Sequence, residues 1–383
     1  MKPEKNMLCA GITGTKGKTT TAFMLSKILD KIGVRNVLVG SLGVYGISYP
    51  RSRNTTPPPT DIFEILSLAK NAGIGVAIIE VSSQALRDLR LYGIPFQIAA
   101  FTGFSRDHVG GSEHASLMEY MLSKRSLFTS YGARVAVINC DDPISDYMCA
   151  GVGRRVRCGF SQDAELRIGG FWDSHRGSSF LLNSTPVRVD MPGEYNAQNA
   201  ALALGIAREI TSLPIDSLAP ALAGVRVSGR LELFNIEERQ VIVDYAHNRQ
   251  SLNAITALAR RLFPGRIICV FGSVGDRAEE RRRELAAAAE AGADISVITS
   301  DDSGSECPLS ICAEIYSHFQ DKSRAKVVVS RQHAIEYALS VAEPGDSVLV
   351  LGRGEERHMS QNGEIFEFSD LEFVRALQNK GRS

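Results

Sequence analysis

Apolar residues along this chain follow two spacings that alternate. Short continuous runs, Met7 to Thr13, Val37 to Ser41, Val76 to Val81, Ile98 to Phe101 and Val135 to Asn139, read as strands buried on both faces. Between the first two, Leu25, Ile28, Leu29 and Ile32 recur at helical spacing and stop at Gly33. Strand, helix and strand in succession favour a parallel sheet. Between about 152 and 191 the rhythm shortens: Glu165 to Phe171, Ser179 to Leu182 and Val187 to Asp190 alternate and are rich in turns, which predicts a small antiparallel patch appended to that sheet. An alanine-rich helix from about Asn196 to Ile210 and a segment from Leu218 to Ala223 lead into a connector, Gly224 to Arg230. A second α/β pattern follows. Its strands are predicted at Val241–Tyr245, Arg266–Phe271, Ile295–Ser300, Lys326–Val329 and Ser347–Leu351, and its helices near 250–262, 279–291, 308–319 and 332–341. The expectation is an α/β protein of two domains, 1–225 and 226–383.

The length agrees with that division, since 383 residues suffice for two domains of ~100–200 residues. With 43 Lys+Arg against 43 Asp+Glu the net charge is zero, so no field favours nucleic acid. A content of 44% hydrophobic and 22% charged residues is that of a chain able to bury real cores. No apolar run approaches the ~18 residues of a membrane span, and the first residues lack a signal peptide's apolar stretch, so a soluble cytoplasmic protein with no membrane partner is expected. The seven cysteines include no Cys-x-x-Cys pair. Cys307 and Cys312 fall in the first turns of one predicted helix, and Cys9, Cys140 and Cys269 lie in or beside strands as small buried hydrophobes, so neither a disulfide framework nor a zinc ribbon fits.

The chemistry begins where the first strand meets its helix, in Gly11-Ile-Thr-Gly14-Thr15-Lys16-Gly17-Lys18-Thr19-Thr20. Glycines let backbone N–H groups approach phosphate oxygens, the helix start adds its positive end, Lys18 reaches a phosphate and Thr19 can ligate magnesium. The strict G-x-x-x-x-G-K-[ST] spacing is missed, because Ile12 stands five positions before Gly17; a glycine-rich turn without a ligand is the plainer alternative. Glu80 closes the apolar run from Val76. A carboxylate there needs a cation or an ion pair, so it reads either as a magnesium ligand at the sheet's carboxyl edge or as half of a buried salt bridge. Phe104-Ser-Arg-Asp-His108 again turns polar after an apolar run, which leaves His108 as a metal-site residue or a structural histidine.

Further stretches extend this set: Asn54-Thr-Thr-Pro-Pro, Glu80-Val-Ser-Ser-Gln-Ala-Leu, Lys124-Arg-Ser-Leu-Phe, Asn139-Cys-Asp-Asp and Gly193-Glu-Tyr-Asn-Ala-Gln-Asn in the first half. Gly229-Arg-Leu-Glu, Val243-Asp-Tyr-Ala-His-Asn, Phe271-Gly-Ser-Val-Gly-Asp-Arg, Thr299-Ser-Asp-Asp and Gly352-Arg-Gly-Glu-Glu continue it in the second. In this order and over almost the whole chain, they resemble the Mur ligase family, ATP-dependent enzymes that join an amino acid to a carboxylate through an acyl phosphate. The branch they look most like is MurE, the muramyl-tripeptide synthetases. The resemblance implies a central P-loop ATPase domain, mainly parallel with the antiparallel patch, followed by a Rossmann-like C-terminal domain that takes the amino acid. It also implies roles. Gly14 to Thr20 hold the ATP phosphates, with Lys18 and Thr19 foremost, and Glu80 and His108 lie near Mg2+. Lys124 matches a lysine that is carbamylated, an anion able to ligate a second magnesium; a solvated lysine on the helix Leu117 to Phe128 is the alternative. Asn196 and Asn199 match residues near the adenine, while Arg230, Asp244 and His247 match groups that the C-terminal domain brings onto the nucleotide as it closes. Thr55, Thr56, Ser82 and Arg90 match contacts to the acid.

Departures from the family pattern narrow the substrates. The phosphate loop begins ten residues from the start of the sequence, which leads to the expectation that no uridine-binding domain precedes it and that the acid carries no UDP. Asp88 stands where a glutamine is usual in one MurE group, and Lys16 where asparagine is commoner. Relatives that add diaminopimelate read Asp-Asn-Pro-Arg where this sequence has Asp301-Asp302-Ser303-Gly304, so the arginine that would clamp a distal carboxylate is missing and diaminopimelate is not expected. Arg282, Gly352 and Glu356 match other contacts to the amino acid, and Glu355 replaces a usual histidine. Asp302 and Glu355 either favour an amine-bearing side chain or are solvated loop carboxylates. Three readings follow: an ATP-dependent acid–amino-acid ligase, a cell-wall ligase whose UDP recognition comes from a protein partner, and a non-catalytic ATP-binding protein. A two-domain branch that works with a glutaminase carries a zinc cysteine cluster, which this sequence lacks.

Overall fold

The computed structural model describes residues 7–52, 54–105, 114–276, 280–361 and 363–380. The chain divides into two compact units between Val227 and Ser228.

The first unit begins with β1 (Leu8–Thr13), α1 (Lys18–Lys31), β2 (Asn36–Gly40), β3 (Gly43–Tyr45), α2 (Pro59–Asn71) and β4 (Val76–Glu80). It continues through α3 (Ser83–Arg87), β5 (Ile98–Phe101), α4 (Leu117–Thr129), β6 (Val135–Asn139), α5 (Ser145–Met148) and β7 (Arg154–Gly159). The expected antiparallel patch is β8 (Leu166–Ser174), β9 (Gly177–Leu182) and β10 (Thr185–Val189), and α6 (Glu194–Thr211) and α7 (Ile215–Leu218) complete the unit. One sheet holds every strand in the order β10-β9-β8-β7-β6-β5-β1-β4-β2-β3. From β2 to β8 its neighbours are parallel, with a short antiparallel β3 at the far edge. The central strands read as unbroken apolar runs because each packs on both sides: Ala10 and Ile12 of β1 face the core formed with α1 and α6, while Cys9 faces the core on α2 and α4.

The second unit comprises β11 (Glu232–Ile236), β12 (Arg239–Asp244), α8 (Arg249–Leu262), β13 (Ile267–Phe271), α9 (Glu280–Gly292), β14 (Ile295–Ile298), α10 (Pro308–Ser317) and β15 (Ala325–Val327). After these come α11 (Arg331–Val341), β16 (Ser347–Leu351), the hairpin β17 (His358–Gln361) and β18 (Glu364–Glu367), and α12 (Asp370–Lys380). Its sheet runs β11-β12-β16-β13-β14-β15, parallel throughout except for the edge strand β11. Cys9 and Cys269 are buried as expected, whereas Cys140, just past the end of β6, is only partly buried; Cys307 is exposed directly before α10 and Cys312 is buried within it. Among the described residues no helix is long and apolar enough to cross a membrane.

Candidate functional site

Parallel strands carry all their following loops to one edge of the sheet, and β1 lies between β4 and β5. The phosphate-type loop after β1 therefore lies between the segments after those two strands. Thr15 N donates to Gly103 O at 2.8 Å, and Thr15 Oγ1 meets both Ser105 N and the Tyr120 hydroxyl at 3.0 Å. Thr102 Oγ1 donates to the Lys16 carbonyl. Gly17 precedes α1 without side-chain capping, and the positive end of the helix dipole lies at this turn, an arrangement suited to an anion. Asn199 braces the same turn from α6, where its Oδ1 accepts from Thr21 Oγ1 at 3.3 Å, and Asn196 donates to Pro192 O at 2.8 Å. Lys18 Nζ donates to Gly14 O at 2.9 Å and to Thr15 O at 3.1 Å. Lys124 Nζ, on α4, donates to the same Gly14 carbonyl at 2.8 Å and lies 4.5 Å from the Tyr120 ring centroid. At 1% exposure Lys124 is not the solvated lysine of the alternative reading.

Glu80, 1% exposed, ends β4 beside this loop. Its Oε2 accepts from Thr19 Oγ1 at 2.8 Å, and its Oε1 from Ser41 N at 3.0 Å. Gly40 makes room for the carboxylate, since a Cβ there would lie 2.0 Å from Oε1. Ser41 links this carboxylate to the residues expected at the acid: its hydroxyl lies 3.0 Å from Thr55 Oγ1 and 3.3 Å from Glu80 Oε2. Thr56 Oγ1 donates to Glu80 O at 2.7 Å and accepts from Ser82 N at 3.0 Å, while Arg90 donates to Thr56 O at 3.3 Å and pairs with Asp88 at 2.9 Å. Thr19, Glu80, Thr55, Thr56, Ser82 and Arg90 thus form one connected cluster. A hydroxyl and a carboxylate side by side are hard oxygen donors of the kind magnesium takes. Among the described residues there is no group of three or more His, Cys, Asp or Glu side chains that could hold a metal. His108 lies outside the described residues.

In the second unit Asp244 ends β12 and anchors two backbones, accepting from Leu231 N and Ala246 N at 2.8 Å each. Arg230 stacks on Tyr245, 4.2 Å from its ring centroid, and His247 Nδ1 lies 2.7 Å from Tyr245 O.

The profile of the Mur ligase middle domain matches residues 12–207, and that of the Mur ligase, glutamate ligase domain matches residues 229–354. The chain belongs to the Mur ligase family. It is accordingly an ATP-dependent ligase that closes an amide bond between a carboxylic acid and an amino acid. The UDP-N-acetylmuramoyl-L-alanyl-D-glutamate–2,6-diaminopimelate ligase of Thermosynechococcus vestitus is 34% identical over 97% of this chain and 77% of its own length. Its namesake from Aquifex aeolicus is 31% identical over 98% and 78%. A solved structure of a ligase with that name aligns over 99% of this chain and 80% of its own, with a TM-score of 0.67 and 28% identity. The folylpolyglutamate synthase of Mycobacterium tuberculosis, solved with ADP, shares the fold with a TM-score of 0.73 at 20% identity over 91% and 88% of the two chains.

In this Mur ligase the residues expected at the amino acid fall into two groups. Asp301, Asp302, Gly352 and Glu356 gather around a side chain that motif reading passed over, Arg353, which is fully buried. Its Nη1 donates to Asp301 at 3.0 Å and Asp302 at 2.7 Å, and its Nη2 lies 3.6 Å from Glu356. Asp302 also accepts from Ser360 N at 2.9 Å, so it is not a merely solvated carboxylate. Arg282 stands apart from these residues, 4% exposed, bonded to Glu306 at 2.7 Å and Glu314 at 2.5 Å. Gly304 occupies the position of the missing arginine with φ 57°, and the Asp276 carboxylate fills the space beside it: a Cβ at 304 would lie 1.9 Å from Asp276 Oδ2. Ser41 directly follows the buried strand β2, and Arg353 lies two positions after β16 within the Gly352-Arg-Gly-Glu-Glu stretch; the sequence carried no signal for the partners of either.

Proposed function

We propose that this Mur ligase activates a carboxylic acid with ATP and couples it to an amino acid that lacks a distal carboxylate. The γ-phosphoryl group passes to a carboxylate oxygen, giving an acyl phosphate and ADP. The free amine then attacks the acyl carbon, phosphate leaves and the amine gives up its proton. The observation that carries this reading is the single cluster joining Thr19 and Glu80 to Thr55, Thr56, Ser82 and Arg90 at one sheet edge, beside the loop that holds Lys18. Lys18 and the uncapped start of α1 bind and orient the phosphates, Thr19 and Glu80 hold magnesium, and Asn196, Asn199, Arg230, Asp244 and His247 serve the nucleotide. The metal supplies charge neutralisation for the transferred group. His108 and a carbamylated Lys124 complete the metal set in this proposal, and the reaction is assigned to the cytoplasm.

The acid is recognised at its carboxylate end by hydroxyls and one guanidinium. These contacts are met by an acid with or without UDP, so both are tested: an acid without UDP and, as the names of the relatives favour, a UDP-linked muramyl peptide. Release of ADP that requires both an acid and an amine, with the amide detected by mass, tests the function; a panel containing both kinds of acid separates the two readings. Dependence on neither substrate overturns both. Arg90→Ala is expected to weaken the acid by roughly 1.5–3 kcal/mol, the range of a charge-assisted hydrogen bond, with ATP affinity unchanged by calorimetry.

The amine subsite supports the exclusion of diaminopimelate. Arg282 is already held by Glu306 and Glu314, and Arg353 by Asp301 and Asp302. Restoring arginine alone, as Gly304→Arg, is expected not to confer diaminopimelate use, because the side chain must displace Asp276 from a left-handed turn. Diaminopimelate-dependent ADP release by the wild-type protein would contradict this assignment.

A further inference from the structure

We propose that Ser41 is a positioning residue whose hydroxyl relays the state of the metal-holding carboxylate, Glu80, to the acid-holding hydroxyl of Thr55. The inference rests on the roles proposed above for Glu80 and Thr55. Ser41 and Leu42 form the turn between β2 and β3, where Gly40 is paired with Gly43, and on the other side Val39 of β2 lies opposite Ile79 of β4. Two strands therefore fix its backbone beside the end of β4. Ser41 N donates to Glu80 Oε1 at 3.0 Å and Ser41 O accepts from Arg51 Nη2 at 2.8 Å, so both backbone groups are held without the side chain. The hydroxyl is left to bridge. It lies 3.3 Å from Glu80 Oε2 and 3.0 Å from Thr55 Oγ1.

A hydroxyl carries one proton, and a carboxylate only accepts. As the side chains stand, Ser41 donates its proton to Glu80 Oε2, which also accepts from Thr19 Oγ1 at 2.8 Å, and the Thr55 hydroxyl then donates to Ser41. The Thr55 proton is spent on a neighbour, and the residue offers an incoming carboxylate only lone pairs. Oε2 is the oxygen on which the Thr19 hydroxyl already lies, so it is the one committed when Thr19 and Glu80 hold magnesium. Ser41 then turns its proton to Thr55 Oγ1, and the Thr55 proton is released to donate to the acid. Each hydroxyl only rotates about its own C–O bond. The donor that reads the acid is thus switched on by occupation of Glu80, whose other oxygen stays on Ser41 N.

Ser41→Ala separates this relay from a merely structural role, because the backbone N–H to Glu80 survives while Thr55 loses the acceptor that occupies its proton. Acid affinity is measured by calorimetry on the full chain, with L-alanyl-D-glutamate and its UDP-N-acetylmuramoyl conjugate as probes, in saturating AMPPCP with either magnesium chloride or EDTA. Charge attraction to magnesium and its effect on the nucleotide act alike on every variant, so the relay is read as the excess tightening in wild type. Magnesium is expected to tighten the acid about fivefold to tenfold more in wild type than in Ser41→Ala, with the difference arising in EDTA, where the variant binds the more tightly. Ser41→Thr, which puts back a hydroxyl, should restore the excess. Thr55→Val should lose it with Ser41 in place, and adding Ser41→Ala to Thr55→Val should change acid affinity by less than about twofold, since the donor under control is gone. Equal tightening in wild type and Ser41→Ala, weaker binding by that variant both with and without magnesium, or an excess retained in Thr55→Val overturns the inference alone. Failure of the wild-type protein to bind either acid in AMPPCP and magnesium overturns the proposed acid site, and the inference with it.

Discussion

Lys18→Ala is expected to abolish acyl-phosphate formation while leaving the fold intact. Lys18 opens α1, and its ammonium donates to Gly14 O and Thr15 O, so its charge sits within the loop where phosphates are expected to bind. The backbone of that loop is held by other contacts, Thr15 N to Gly103 O and Thr102 Oγ1 to Lys16 O, which alanine at position 18 leaves in place. A preorganised cation facing charge that develops in the transition state is worth about 10²–10³-fold in turnover, and Lys18 also contributes to nucleotide binding. Calorimetry with a non-hydrolysable ATP analogue and a thermal melt check the two halves of this prediction. Equal nucleotide affinity in mutant and wild type would sink the phosphate-loop assignment.

The second large effect is expected at Lys124. Lys124→Ala should lower turnover by at least about 10²-fold, and short carboxylates such as formate or acetate should restore part of it. As an ammonium, Lys124 shares the Gly14 carbonyl with Lys18, at 2.8 and 2.9 Å, so two cations converge on one acceptor. A carbamate on Lys124 would replace that repulsion with attraction and supply an anionic oxygen ligand at the Gly14 loop. Rescue by carboxylates distinguishes a lost anion from a lost cation. A carbon-13 carbamate signal from wild-type protein in labelled bicarbonate offers an independent check, and near-wild-type activity in the mutant would favour the unmodified lysine.

Features with a local cause are legible in the amino-acid sequence. Strands such as Val76–Glu80, Val135–Asn139 and Ser347–Leu351 are legible because burial on both faces demands an apolar residue at every position, and the phosphate-type loop is legible because one turn supplies all its groups. The short edge strand β3, the edge strand β11 and the hairpin β17–β18 escaped notice, the last with all of Glu364–Glu367 exposed, since strands with little to bury carry little pattern. That Ser41 joins Glu80 to Thr55 is a property of the folded sheet, because their meeting depends on β2 pairing with β4. The same holds for Arg353, whose partners Asp301 and Asp302 follow a strand separated from its own by β13. It holds again for Asp276, which fills the space beside Gly304 and turns the absence of one arginine into a differently built wall. Residues tens of positions apart meet through sheet order and register, quantities set by the packing of the whole unit and carried by no single stretch of the chain.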